Sequence, residues 1–313
     1  MSLRAGAALV LCLAAALANS ATLGEDAVFG PGRARGAFLL RSVGARAAGM
    51  GEAFTAVADD ASAVLLNPGG LGQIASVSAL GMYEVLGDGM GVSHGAAAIP
   101  LGSGAVGFGI TAVSYGSYEM LSDEGVDLGR ESLMDLSVAG SVSFENPQLL
   151  GGIGWSGLSL EYVKDALGGS HLGASAGGVW PISRATRLGF ALLHAGQAAG
   201  GYRLPAVAKA GAAYALAKTF RLAADLGHGL VDGRTFVSVG VEMTSSPPLM
   251  ALRAGYKWSG DRGPGGLTGL TAGLGVRVGD CGLDYAYQPF GDLSGSHRVS
   301  LVYGKGTEEA PGP

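Results

Sequence analysis

From about residue 76 onward this sequence alternates with a period of two, and beyond its first twenty residues no run of about 18 uncharged apolar residues offers a membrane-spanning helix. In one stretch Met134, Leu136, Val138, Val142 and Phe144 interleave with Asp135, Ser137, Ala139, Ser141 and Ser143. The pattern is that of a strand with one apolar face. It recurs where Phe220, Leu222, Ala224 and Leu226 oppose Arg221, Ala223 and Asp225, and where Leu252, Ala254, Tyr256 and Trp258 oppose Arg253 and Lys257. Near the end, Leu274, Val276 and Val278 oppose Gly275 and Arg277, and Leu283, Tyr285 and Tyr287 oppose Asp284 and Gln288.

Divided at turn signals, the chain yields about fourteen such segments. They start near Ser76, Gly89, Ser103, Leu133, Trp155, Gly169, Thr186, Pro205, Lys218, Gly233, Leu249, Leu267, Cys281 and Gly295. Each is roughly 9 to 12 residues long, the length a tilted strand needs to cross a bilayer. The connections also alternate. Tyr118 to Glu131, Gln197 to Arg203, Ser259 to Gly266 and Gln288 to Ser294 read as long loops, whereas Pro181 to Ala185, Ala217 to Lys218 and Gly279 to Asp280 read as short turns. Membrane barrels show this asymmetry between their two rims.

Composition narrows the choice. Hydrophobic residues make up 48% and charged residues 14%, which excludes a disordered chain, and 57 glycines in 313 residues argue against a helical fold. A soluble β-sandwich alternates too. Here, however, the less apolar face is built mainly of Gly, Ala and Ser with scattered charges, where a solvated face carries more Lys, Glu and Thr. Aromatics also fall at strand ends, as at Tyr162, Trp180, Trp258, Tyr287 and Tyr303, the positions of interfacial girdles. The expected fold is all-β: a transmembrane antiparallel barrel spanning 76–303.

One basic residue, Arg4, an apolar run from Ala5 to Ala18 and the small-x-small exit Ala16 to Ala18 read as a secretory signal peptide over 1–20. Cys12 falls inside it, which leaves Cys281 without a partner for an internal disulfide. The formal net charge of −5, with no basic cluster, speaks against a nucleic-acid partner.

Residues 38–74, within an N-terminal segment spanning 21–75, lose the alternation. Asp60 ahead of Ala61 to Leu66 reads as an N-capped short helix, and Asn67, Pro68, Gly69 and Gly70 read as its stop and a tight turn. So short a segment cannot fold alone, and packing inside the barrel as a hatch or plug satisfies it. The run GARAAGMGEAFTAVADDASAVLLNPGGL, from Gly44 to Leu71, is similar to the N-terminal signature of the PorV/PorQ family, which belongs with the FadL-type outer-membrane barrels. Gly69 stands where that signature has Ala, and a polar tail, 304–313, follows Tyr303 where such barrels commonly end on an aromatic residue. The resemblance implies a fourteen-stranded barrel with an N-terminal hatch.

Catalytic patterns lack their context. Gly173, Ser175 and Gly177 match a nucleophile elbow, and Gly102, Gly104 and Gly107 a dinucleotide fingerprint, but neither sits at a strand-to-helix turn. His94, His171, His194, His228 and His297 show no ligand spacing. No enzyme, cofactor or metal is expected. The function implied is passive transport of hydrophobic, fatty-acid-like molecules across the outer membrane. Asp59, Asp60, Asn67, Pro68, Gly69 and Gly70 would position the hatch, and Arg221, Asp225, Glu242, Arg253, Lys257, Arg277 and Asp284 would set lumen polarity or pair among themselves. The alternatives are a PorV-like component of a protein secretion and surface-attachment system, with secretion-system proteins as partners, or a structural barrel without transport. The expected surroundings are the lipid bilayer.

Overall fold

A computed structural model describes residues 34–304 apart from 88, 147–153, 167, 198–201, 218, 246–248, 260–267 and 290–294. The signal-peptide, Cys12 and C-terminal-tail expectations lie outside the described residues, as do most of the predicted loops at 197–203, 259–266 and 288–294. Among the described residues fourteen strands close into one antiparallel barrel, each paired with its sequence neighbours and β1 with β14. They are β1 (Ser78–Gly87), β2 (Met90–Leu101), β3 (Gly104–Leu121), β4 (Asp127–Asn146), β5 (Gly154–Lys164), β6 (Ser170–Pro181) and β7 (Thr186–Gln197). The second half is β8 (Val207–Ala217), β9 (Phe220–Gly229), β10 (Thr235–Thr244), β11 (Met250–Ser259), β12 (Leu270–Val278), β13 (Cys281–Pro289) and β14 (Gly295–Tyr303).

The direction of the alternation decides between barrel and sandwich. Leu160, Leu172 and Leu301 are 73%, 73% and 67% exposed, while Asp225, Glu242 and Asp284 are 3%, 5% and 6% exposed. A sandwich would bury the leucines. An outer surface this apolar is stable against hydrocarbon, and the closed hydrogen-bonded ring leaves no edge in it. Tyr162, Trp258, Tyr287 and Tyr303 are exposed, but Trp180 is buried, lying over Gly154 and Gly178, which have no side chains to hold it off the sheet.

One further expectation needs correction. Residues 118–131 are not mainly a loop, because β4 starts at Asp127 and pairs with β3 from Tyr118↔Glu131 to Leu121↔Asp127. This hairpin runs past its neighbours, since β2 pairs with β3 only as far as Ser114 and β5 with β4 only as far as Leu136. The ring also has a local fault. β7 and β8 pair up to Leu193↔Val207; beyond that His194 turns to φ 57 and Pro205 lacks an N–H, and contact resumes where the Leu204 N–H donates to the Gly196 carbonyl at 3.2 Å and at Gln197↔Arg203.

Residues 34–74 thread the lumen from the long-loop rim down to the start of β1 at the short-turn rim. They form a 3₁₀ turn at Ala37–Leu40, helix α1 (Ala45–Gly49), helix α2 (Ala63–Leu66) and a 3₁₀ helix at Pro68–Gln73. The helix expected over 61–66 is shorter than its sequence suggests. Asp60 does not cap α2 directly; its Oδ1 accepts the Ser62 N–H at 2.9 Å and so shapes the turn before it. Asn67 stops α2 in extended backbone and starts the 3₁₀ helix, accepting the Gly69 N–H.

Candidate functional site

Glycine lets the plug's backbone touch the wall's backbone. A Cβ at Gly255 would meet the Gly51 nitrogen at 2.1 Å, one at Gly240 the Met50 oxygen at 2.3 Å, and one at Gly157 the Pro68 oxygen at 2.3 Å. Conversely a Cβ at Gly69 would meet the Gly178 Cα at 2.4 Å. Plug and wall thus approach more closely than any side chain between them would allow. Asn67, fully buried, secures the contact by donating from Nδ2 to the carbonyls of Thr55 at 2.7 Å and Gly178 at 3.2 Å.

Toward the short-turn half a charge network joins plug to wall. Arg46 of α1 donates to both oxygens of Glu242 on β10, at 2.8 and 2.9 Å, and to Asp59 at 2.6 Å and Asp60 at 3.2 Å. Arg253 bridges Glu242 at 2.7 Å and Asp284 at 2.6 Å; Arg221 reaches Asp59 at 3.2 Å and Glu242 at 3.4 Å, and Arg187 stands 4.0 Å from Asp59. Four guanidinium groups therefore face four carboxylates. Burial alone would raise the Asp59 carboxyl, but Arg46, Arg221 and Arg187 overcome it and hold it at about 2.

The remaining inward charges are spread out. Asp225 accepts the backbone N–H groups of Phe54 and Thr55 at 3.0 and 2.9 Å and the Thr55 hydroxyl at 2.6 Å. Lys257 pairs with Glu52 of the plug. Arg277 stands apart at the short-turn rim, donating to the Gly304 carbonyl at 2.7 Å. The seven predicted lumen residues do not line an open passage; Arg221, Asp225, Glu242 and Lys257 meet the plug directly, Arg253 reaches it through Glu242 and Asp284 through Arg253, and Arg277 does not. Pro68 and Gly70 are buried with Asn67 and Gly69, so the six predicted hatch positions all lie in the plug's packed part.

The space left is toward the long-loop half, above that packing. A cavity of about 380 Å³ lies between the plug and the walls, lined by Phe38, Leu39, Phe54, Leu65 and Leu66 of the plug and by Leu193, Val207 and Phe236 of the wall. Its polar lining includes Glu52, His94, Thr111, His194, Lys209 and Lys257. Of all the residues singled out from sequence as hatch or lumen positions, only Lys257 borders it. Arg46, Glu52 and Lys209 went unnoticed, although each is a sparse charge in a chain with few. The pattern around Ser175 is also resolved: Ser175 lies within β6, near His194 and Glu161, but its Oγ accepts the backbone N–H of His194 at 3.0 Å while the ring's Nδ1 meets Glu161 at 2.8 Å. A nucleophile activated by that ring requires a different arrangement.

No protein-family profile and no curated protein matches the sequence. Solved structures share its fold. The CymD monoaromatic hydrocarbon channel has a TM-score of 0.59 at 14% identity, over 83% of this chain and 96% of that one. A Pseudomonas aeruginosa FadL homologue has a TM-score of 0.52 at 14% identity, over 82% and 97% of the two chains. The P. putida toluene transporter TodX gives 0.50 at 12% identity, over 78% and 94%. The barrel is FadL-like in fold, and at such identities the likeness extends to the fold alone.

Proposed function

We propose that this chain is an outer-membrane channel for passive uptake of hydrophobic small molecules, fatty-acid-like in having an apolar body. The observation that carries the reading is the cavity of about 380 Å³ between plug and wall. Its size falls in the usual range for small-molecule sites, and its apolar walls with a few placed polar groups are what such sites use. The solved neighbours support the same reading, because the names of CymD and TodX describe a hydrocarbon channel and a toluene transporter. In this reading residues 1–20 direct export, the long-loop rim faces outward, and a ligand enters above the plug and leaves when the plug shifts or the wall parts beside it. The fault between β7 and β8, at His194 and Pro205, borders the cavity through Leu193, His194 and Val207.

The PorV-like secretion reading draws no support from the solved neighbours. A purely structural barrel is favoured by one observation, the charge-balanced packing of the plug, and the transport test separates the two. Cells with an intact outer membrane and no uptake system of their own, expressing this chain, should take up labelled hydrophobic compound faster than cells expressing a variant whose plug is tethered to the wall by an engineered disulfide. Equal uptake by the two, at the level of cells without the barrel, leaves the structural reading.

A further inference from the structure

Every strand pairing in the ring but one joins neighbours in sequence, which a turn or loop holds close together. The exception is β1 with β14, where the whole barrel lies between the partners. Joining ends so far apart costs more chain entropy than closing a hairpin. Its register must also be set without a turn, and a slip of one residue would send every side chain of β1 to the wrong face.

The plug supplies what the missing turn does not. Glu84, buried on β1, sits directly opposite Arg298 of β14, with Oε1 2.9 Å from Arg298 Nε, and it accepts from Ser296 Oγ of β14. Arg41 of the plug donates to the same carboxylate from Nε at 3.1 Å and from Nη2 at 2.5 Å. One buried carboxylate thus gathers the plug and both closing strands. The next inward pair toward the short-turn rim, Met82↔Ser300, is gripped by two consecutive plug residues. The Gly44 N–H donates to Met82 Sδ at 3.1 Å and the Ala45 N–H to Ser300 Oγ at 2.8 Å, so the plug's backbone straddles the seam. Lower still, Ser78 Oγ at the start of β1 accepts the Ala61 N–H at 3.2 Å.

The path of the plug bears on the order of events. It enters at the long-loop rim, where Arg35 pairs with Asp165 at 3.1 Å, and runs through residues 74–77 into β1 at the other rim. Between the rims its backbone lies against wall glycines that leave no room for a Cβ. A finished ring would have to admit this segment end-first through that passage, whereas an open sheet can wrap around it. We propose that the plug is the template on which the ring closes. Docked on β14, it carries β1 into place and in register, which turns the longest-range pairing of the fold into a local one. This role is independent of whether anything passes through the barrel.

The test follows the full chain as it refolds from urea into phospholipid vesicles, with the compact band on an unboiled gel reporting the closed ring, and then follows loss of that band in denaturant. A contact already made when the ring closes changes the closure rate, and one made afterwards changes the reopening rate. Arg41→Met, which leaves Glu84 facing Arg298, should slow closure about tenfold and leave reopening within about twofold. Ser300→Ala removes only the bond to Ala45 and should do the same at about fivefold; it decides the matter if Arg41→Met does not close at all. Variants that close at the wild-type rate and only reopen faster overturn the proposal. The order of events is read from a thiol at Ala48→Cys, buried on α1, in a Cys281→Ser background. It should be protected from labelling no later than the compact band forms; compact barrels that still label there overturn the proposal, because the plug then settles into a finished ring.

Discussion

Replacing Gly255 by Ala tests the contact on which the plugged lumen depends. The added Cβ would lie 2.1 Å from the Gly51 nitrogen and 2.3 Å from the Met50 carbonyl carbon. Ordinary contact between such atoms is about 3.5 Å, so plug and wall must part by more than 1 Å, roughly. Neither neighbour yields easily: both are backbone atoms, and the Gly51 N–H is bonded to Thr271 Oγ1 at 2.9 Å. Overpacking of this kind costs about 1–3 kcal/mol, with rigid neighbours at the upper end. The strand's own gain from losing a glycine is the same with the plug docked or open and cancels, so about 2 kcal/mol or more weighs against plug docking, roughly thirtyfold in the open population. The readout is thiol labelling at Ala48→Cys, buried on α1, in a Cys281→Ser background. Gly81→Ala is the control, since a Cβ there meets nothing within 4 Å. Labelling should accelerate about thirtyfold in Gly255→Ala and not at all in Gly81→Ala; equal rates in the two would refute the close-packed plug.

Glu242→Gln leaves Arg46, Arg221 and Arg253 facing a neutral amide, and should weaken plug docking by about 3–5 kcal/mol, seen as raised conductance in planar bilayers. Acid should act in the same direction. Because the Asp59 carboxyl is held at about 2, below its ordinary 3.8, its contribution is complete above about pH 4 and is lost as pH falls through about 2. About 2 kcal/mol of docking disappears across that window, and conductance should rise there and not between pH 5 and 7. Asn67→Ala strands the carbonyls of Thr55 and Gly178 and should cost about 1–3 kcal/mol, measured as faster proteolysis of the plug in the folded barrel.

The wall was largely legible because a membrane barrel writes its two faces into alternate residues, and the apolar face needs no partner within the chain. The alternation fails as a guide where the environment stops being two-sided. Residues 115–121 and 127–135 pair as strands beyond their neighbours, and polar residues stand on both faces there, so Glu119 and Arg130 looked like loop. Trp180 carried a girdle-like position, but what buries it is the lack of side chains on Gly154 and Gly178, a property of other strands. The sequence singled out Asp59, Asp60 and Asn67 in the plug and Arg221 and Glu242 on the wall, yet not Arg46, which joins them: Arg46 and Glu242 are 196 residues apart, and no local period connects a short helix to a particular strand. The cavity is least legible of all, since it is the volume that remains after the plug has settled at a certain depth.

The central claim, that the space above the plug receives a hydrophobic ligand, is tested most directly by photolabelling the folded barrel with a diazirine-bearing long-chain amphiphile and mapping the labelled peptides. Label that is displaced by excess unlabelled ligand should map to Leu65, Leu66 and Phe236, which border the cavity. Displaceable label found only on the outer belt, at residues such as Leu160 and Leu301, would contradict it.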